Sequence, residues 1–222
     1  MVAKNSVLNC VQPPSKEAYT AALQERLGAK VTATLAQAKV AIAGLGGLGS
    51  NLALMLARSG VGHLLLVDYD SVELTNLNRQ AYRYTQLGQK KTVALATLIR
   101  EINPYLAVTT RDIKVTSQNA ADLFAGYPLV CEALDRPEQK ALLVNTLLSS
   151  LPDVTIVAAS GLATYASSNL LQTKKCFNSL YLCGDGVAAV TNTDSLLAPR
   201  VHICAGHQAN MILRLLLGET TP

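Results

Sequence analysis

The sequence predicts an α/β fold: a doubly wound, mostly parallel sheet covered by helices, then a C-terminal strand-and-loop region and a final helix. Three observations carry this. A glycine-rich turn at residues 44–49 separates an apolar run from a helix-forming stretch, and an acid, Asp68, follows nineteen residues after Gly49. Strand-like and helix-like patterns then alternate through residue 160, the rhythm of parallel βαβ units. After Gly161 the rhythm breaks, and only a last amphipathic run near the C-terminus reads as a long helix.

In chain order, residues 1–16, with Pro13-Pro14, read as a loose arm, residues 17–27 as an amphipathic helix and residues 31–37 as a second short helix. Residues 39–43 are an apolar strand and 48–59 a Leu- and Ala-rich helix. Residues 63–67 carry Leu64-Leu65-Leu66-Val67, a continuous apolar strand suited to a sheet buried on both faces. Residues 89–102 form a helix stopped by Asn103-Pro104, because a residue before proline avoids helical backbone. A strand at 107–112, a short helix at 118–125, a strand at 129–133, a helix at 137–149 and a strand at 154–160 complete the alternation. Residues 163–175 and 180–183 read as short strands or loops, 184–198 as a loop rich in Gly, Ala, Thr and Asn, and 201–217 as a helix capped by Gly218. With no repeat or interdomain linker, residues 1–30 are expected to be an arm and helix. Residues 31–218 are expected to be one Rossmann-like domain, with 161–199 facing substrate.

The glycine turn reads Gly44-Leu45-Gly46-Gly47-Leu48-Gly49. In a nucleotide-binding βαβ unit the first glycine permits the tight turn out of the strand, the second lets backbone N–H groups approach a phosphate, and the last lets helix and strand pack closely. The helix N-terminus then faces the anion, and Asp68 is placed to accept ribose hydroxyls. This suits NAD and ATP alike. The polar stretch beyond Asp68, with Asp70, Asn76, Arg79, Gln80 and then Lys90-Lys91, favours ATP. Arg79 can fork onto phosphate oxygens and Lys91 can act as a point charge. A cation at a helix start is unfavourable unless an anion is near, which favours Lys91 as a phosphate ligand over a solvated charge.

Composition narrows the class further. Half of the 222 residues are hydrophobic and 15% are charged, so the chain is a folded globule. The net charge of +4, from 19 basic and 15 acidic residues, includes no dense basic block, so neither charge nor motif points to nucleic acid. No apolar run reaches the roughly 18 residues that suggest a membrane span. Five cysteines, an odd count without any Cys-x-x-Cys pair, fit a reducing cytoplasm and argue against a disulfide framework or a four-cysteine zinc site.

Gly-x-Gly-Gly-x-Gly, Asp-x-Asp-x-Val, Asn-Leu-x-Arg-Gln and a lysine twelve residues before Asn103-Pro104 resemble the ThiF/MoeB/HesA adenylyltransferases, bacterial relatives of ubiquitin-activating enzymes. The resemblance runs from about residue 35 to 218. The later segments Tyr181-x-x-Gly184-Asp185, Ala198-Pro199-Arg200-Val201 and Gly206-His207-Gln208-Ala209-Asn210 are similar to the short ThiF branch. The resemblance implies an adenylation domain using ATP and Mg²⁺, a small ubiquitin-like sulfur carrier ending in Gly-Gly as partner, a homodimer, and a place in thiamine thiazole synthesis. A molybdopterin carrier or a tRNA-modification intermediate is the alternative substrate. An NAD-dependent oxidoreductase and a non-catalytic nucleotide- or carrier-binding module are the rival classes.

The resemblance also distributes roles. Arg79, Lys91 and Asp135 become catalytic, with Asp135 also holding Mg²⁺. Gly44, Gly46, Gly47, Gly49, Asp68, Asp70, Asn76 and Gln80 bind the nucleotide. Each has a purely structural alternative. Asp70 can close an Asx-turn into Ser71. Asn76 can cap a helix starting near Gln80, with Arg79 paired to Glu73. Asp135-Arg136-Pro137-Glu138 reads as a capping box with Asp135 at the N-cap. Flanking Asp135, Leu134 and Arg136 stand where relatives often show Thr and Asn. Cys176, beside Lys174 and Lys175, and Cys183 are candidate thiols for sulfur chemistry, while Cys131 and Cys204 read as core and His63 and His202 as structural. His207 reads the same way, though it falls within the final-helix segment of the resemblance.

Overall fold

The computed structural model describes residues 12–160, 164–186 and 197–222. The first eleven residues of the expected arm, Cys10 among them, and the parts of the expected substrate-facing region at 161–163 and 187–196 lie outside the described residues.

Two helices lead in, α1 (Lys16–Leu27) and α2 (Ala29–Gln37). The expected amphipathic character of α1 is absent: none of its residues is buried, since its Ala, Tyr and Leu positions do not fall on one stripe. The alternation follows as β1 (Lys39–Ala43), α3 (Gly47–Arg58), β2 (His63–Asp68), α4 (Lys91–Ile102), β3 (Ala107–Asp112), α5 (Ala120–Phe124), β4 (Leu129–Glu132), α6 (Pro137–Ser150) and β5 (Thr155–Ser160). A hairpin, β6 (Gln172–Phe177) and β7 (Leu180–Gly184), precedes the final helix α7 (Ala198–Leu216). That helix begins three residues before the expected start, because Pro199 sits in its first turn, where a missing N–H costs nothing. It ends in a Schellman arrangement. Gly218, at φ +90°, donates to the Leu215 carbonyl and Glu219 donates to that of Arg214.

The seven strands order β3-β2-β1-β4-β5-β7-β6. All neighbours are parallel except the antiparallel edge pair β6–β7. The chain winds outward from β1 through β2 to β3, then returns to the other side of β1 as β4 and β5. That reversal opens a crevice at the carboxyl ends of β1 and β4, where ligands of such sheets bind.

Alternation along each strand divides the core. Val40 and Ile42 face a layer built by Leu52 and Leu56 of α3, Leu95 and Ile99 of α4, and Ala205 and Ile212 of α7. Ala41 and Ala43 face Phe124 of α5 and Leu143 and Leu147 of α6. Both faces of the sheet are therefore covered, which explains the unbroken apolar runs of β1, β2 and β4. Among the described residues no helix is long and apolar enough to cross a membrane.

Candidate active site

The glycine turn links β1 to α3. Gly44 has φ +90°, and a Cβ there would lie 2.7 Å from the Ala133 carbonyl oxygen, so β1 and β4 can approach only without one. At Gly49 a Cβ would lie 1.9 Å from the Gly44 carbonyl oxygen, which lets α3 seat directly on the turn. Gly46 differs: its nearest neighbour would be Gln80 Nε2 at 3.9 Å, leaving an open approach at the start of the helix. A Cβ on Gly47 would meet Val201 of α7 at 2.9 Å.

Asp68 ends β2 and is buried, with both oxygens engaged. Oδ2 accepts from Leu45 N–H at 2.6 Å and Oδ1 from Asp70 N–H at 2.8 Å. The Asx-turn expected at Asp70 is thus made by Asp68 instead. Asp68 also holds the glycine turn, a structural duty that leaves further lone pairs for a ligand. Burial pushes its carboxyl up, with the Lys91 charge acting in the opposite direction.

Asp70 is free of turn duty and pairs with Lys91, Nζ to Oδ2 at 2.8 Å. Lys91 is 6% exposed at the first position of α4. The unfavourable placement of a cation at a helix start is therefore offset by a carboxylate of this chain. Lys90 points elsewhere, donating to the Tyr69 carbonyl at 2.9 Å and pairing with Asp112 at 3.3 Å.

No helix starts near Gln80. Residues Leu74–Asn76 and Tyr84–Gln86 form single 3₁₀ turns, and the Asn76 side-chain oxygen caps the first by accepting from Glu73 N–H at 3.1 Å. Asn76 is buried and does not reach the cavity described below. Arg79 does not pair with Glu73; its Nη1 donates to the Thr75 carbonyl at 3.2 Å and to Asn78 Oδ1 at 2.9 Å. Partial burial draws the Arg79 guanidinium down, and the Asp135 charge opposes it. Gln80 is 8% exposed, and its Oε1 has no hydrogen-bond partner among the described residues.

The capping box expected at Asp135 does not form. Pro137 takes the first helical position of α6, so Arg136 is the N-cap, at φ −92° and ψ 127°, the extended backbone that a following proline imposes. Asp135 is displaced outward by one residue and stands exposed at the cavity wall, without a capping bond. Its loop is clamped from below. Glu132, fully buried at the end of β4, accepts from Leu134 N–H at 2.8 Å and from Lys140 Nζ at 2.9 Å, and Lys140 also donates to the Leu134 carbonyl at 2.9 Å. Glu132 Oε2 lies 2.8 Å from the same ammonium without receiving a well-directed hydrogen bond. Burial pushes the Glu132 carboxyl up, and Lys140 counters it. Sequence reading missed this pair. Its signal is an acid closing an apolar strand, with a lysine in the first turns of the next helix.

These parts enclose one cavity of about 760 Å³ at the crevice. Gly44, Gly46, Gly47, Asp68, Asp70, Arg79, Gln80, Lys91 and Asp135 line it; Gly49 and Asn76 do not. The far wall is Ile113, Lys114 and Val115, past the end of β3. A second buried pair stands at the α7 end, where Arg200 donates to Asp185 at 2.7 Å and to Thr164 Oγ1 at 3.0 Å. It joins two segments that the sequence reading singled out separately.

The four described thiols do not line this cavity. Cys183 is buried, in contact with Thr173 Oγ1 at 3.5 Å, and burial raises it to about 11. Cys131 and Cys204 are buried core residues, raised by the same cause. Cys176 is exposed on β6. That strand pairs Gln172 with Gly184 at the crevice end and Phe177 with Leu180 at the other. Cys176 therefore sits roughly 13 Å along the outermost strand from the crevice end. The Lys175 ammonium beside it rests 5.6 Å from the Tyr181 ring centroid. Among the described residues no group of three or more His, Cys, Asp or Glu side chains is arranged to hold a metal ion.

The ThiF family profile matches residues 19–222. The chain belongs to the ThiF family. Among curated relatives it is 30% identical over 205 residues to "Adenylyltransferase and sulfurtransferase UBA4" of Saccharomyces cerevisiae, covering 90% of this chain and 46% of that protein. It is also 30% identical over 195 residues to "Adenylyltransferase and sulfurtransferase MOCS3" of Dictyostelium discoideum, covering 86% and 45%. The chain thus spans about half the length of the curated relatives it matches. Its fold is similar to that of Escherichia coli tRNA N6-threonylcarbamoyladenosine dehydratase, TcdA, in complex with ATP, with a TM-score of 0.82 and 23% identity over 94% of this chain and 97% of that one. A likeness to E. coli MccB with ATP has a TM-score of 0.65 and 20% identity over 86% and 59%.

Proposed function

We propose that this ThiF-family chain is an adenylyltransferase: it activates the C-terminal carboxylate of a small ubiquitin-like carrier protein ending in Gly-Gly, with ATP as donor. The observation that carries this reading is the order of groups along one crevice. Asp68 suits a ribose, the Gly46 opening suits phosphates, and Arg79 and Lys91 flank the same cavity with positive charge. In the reaction a carboxylate oxygen attacks the α-phosphorus, a carbonyl–O–P bond forms, the bond to the bridging oxygen breaks and pyrophosphate leaves. The attacking carboxylate is already ionised at neutral pH, so no general base is needed. Catalysis rests on positioning and on neutralising phosphate charge.

Asp135 fits a magnesium ion arriving with ATP. Its carboxylate is not consumed by helix capping, and Mg²⁺ is commonly held by one or two carboxylates together with substrate phosphates. When bound, the ion supplies charge neutralisation. Residues 31–218 carry the activity, with 161–199 facing the carrier, and the working form is a cytoplasmic homodimer. The carrier is of the sulfur-carrying kind, because the curated relatives are named sulfurtransferases as well as adenylyltransferases. Thiamine thiazole synthesis and molybdopterin synthesis both use such a carrier. The likeness to TcdA supports a second reading, a tRNA-modification intermediate as the group adenylated.

Calorimetric titration with ATP and with NAD tests the nucleotide, and ATP–pyrophosphate exchange with Gly-Gly carriers tests the reaction. ATP is expected to bind and NAD is not; tight NAD binding without ATP binding refutes the reading. Cys176→Ser is expected to leave exchange at the wild-type rate, since carboxylate attack on ATP needs no thiol and Cys176 lies at the remote end of β6. Loss of exchange in a folded Cys176→Ser protein, or a Cys176-linked carrier adduct that turns over, overturns that placement.

A further inference from the structure

We propose that Arg136 is a phosphate ligand of the nucleotide, supplied in cis from the start of α6. The inference rests on the adenylyltransferase reading above and adds a residue that the motifs do not mark. Five cations line the cavity: Arg79, Lys91, Lys114, Arg136 and Lys140. Four already have partners in the protein. Lys91 is paired with Asp70. Lys140 is held by Glu132 and the Leu134 carbonyl. Arg79 has committed Nη1 to Thr75 and Asn78, and Lys114 rests 5.9 Å from the Tyr69 ring centroid. Among the described residues the Arg136 side chain alone of the five makes no hydrogen bond, ion pair or ring contact, while its carbonyl accepts from the Gln139 and Lys140 N–H groups at 3.0 Å.

An unpaired arginine on an open surface is usually just solvated. Arg136 is exposed, but its backbone is not loose. Pro137 fixes the residue before it, and the Glu132–Lys140 clamp holds the neighbouring Leu134 at both N–H and C=O. The guanidinium is therefore rooted at a fixed point of the cavity wall, next to Asp135. The order of elements places it further. Asp68 lies at β2, the glycine turn at β1 and Arg136 after β4, so the three occupy successive strands of the sheet. Neighbouring strands are about 4.8 Å apart, and two steps cover the reach from a ribose to the phosphates beyond the first. A planar fork is suited to phosphate oxygens there.

The test is calorimetric binding of ATP, AMP and pyrophosphate to the wild-type chain, Arg136→Gln and Arg136→Lys. The site is exposed, so both variants are expected to fold, as their melting temperatures will show. Arg136→Gln is expected to weaken ATP binding by about tenfold or more, the usual scale for a lost charge-assisted hydrogen bond. Arg136→Lys should fall between the two, retaining charge and losing the fork. A loss seen with ATP and pyrophosphate but spared with AMP places the guanidinium on the terminal phosphates; a loss shared by AMP places it on the α-phosphate. Unchanged affinity for all three ligands overturns the inference. If the wild-type protein itself binds no ATP, the adenylyltransferase reading fails first, and the variants are not what decides it.

Discussion

Replacing either Arg79 or Lys91 by alanine is expected to slow carrier-dependent ATP–pyrophosphate exchange by at least about 100-fold, the loss of a few kcal/mol of charge stabilisation at a transition state in which phosphate charge migrates. Lys91 has the stronger structural case. It is buried against Asp70 at the cavity wall, where its charge is screened less than on the surface. Its removal leaves the Asp70 carboxylate facing the phosphates, so the variant loses an attraction and gains a repulsion. Arg79 lines the same cavity, with its Nη1 committed to Thr75 and Asn78. Lys90→Ala is the matched control. It removes the same charge one residue away from a side chain bound to Asp112 and Tyr69, and should leave exchange within about twofold of wild type, as expected for an exposed pair. Near-normal exchange in folded Arg79→Ala or Lys91→Ala proteins, or equal losses at Lys90 and Lys91, would show that the cations have been assigned wrongly.

Much of this arrangement is legible in the sequence because it is local. The apolar runs at 39–43, 63–67 and 129–133 are strands of a sheet buried on both sides, and a glycine turn between strand and helix has few other uses. What escaped was decided by contacts across the fold or by competition between neighbouring local signals. Asp68 closes the Asx-turn expected of Asp70 because its other oxygen is held by Leu45 across the turn. Asp135 is pushed off the N-cap by a proline that competes for the same frame, and the local capping pattern cannot show which residue wins. The Glu132–Lys140 and Arg200–Asp185 pairs join strand ends to helices, and neither makes a short motif. Cys176 has cationic neighbours in sequence, yet the antiparallel turn of β6 carries it to the end of the sheet away from the crevice.

The two glycines of the turn that differ most in their surroundings separate folding from binding. Gly49→Ala is expected to destabilise the protein by about 3 kcal/mol or more, the upper range for forcing an extra carbon into a packed site. Its Cβ would stand 1.9 Å from the Gly44 carbonyl oxygen, a backbone atom that cannot swing aside as a side chain can. The helix α3 would have to lift from the turn, taking with it the contacts of Leu52 and Leu56 in the core. Gly46→Ala should behave in the opposite way. Its Cβ meets nothing nearer than Gln80 Nε2 at 3.9 Å, so the melting temperature should stay near that of the wild type. The added methyl would instead occupy the space through which a phosphate reaches the backbone N–H groups at the start of α3, and ATP affinity should fall by about tenfold or more. Thermal unfolding and calorimetric titration of the two variants read these effects separately. A Gly46→Ala protein that binds ATP as tightly as wild type means that the phosphates do not lie on this turn. A Gly49→Ala protein that melts at the wild-type temperature means that α3 is not seated on Gly44 as described. The pairing matters because either variant alone could lose activity for the wrong reason: Gly49→Ala by unfolding, Gly46→Ala by blocking a ligand that the fold itself does not require.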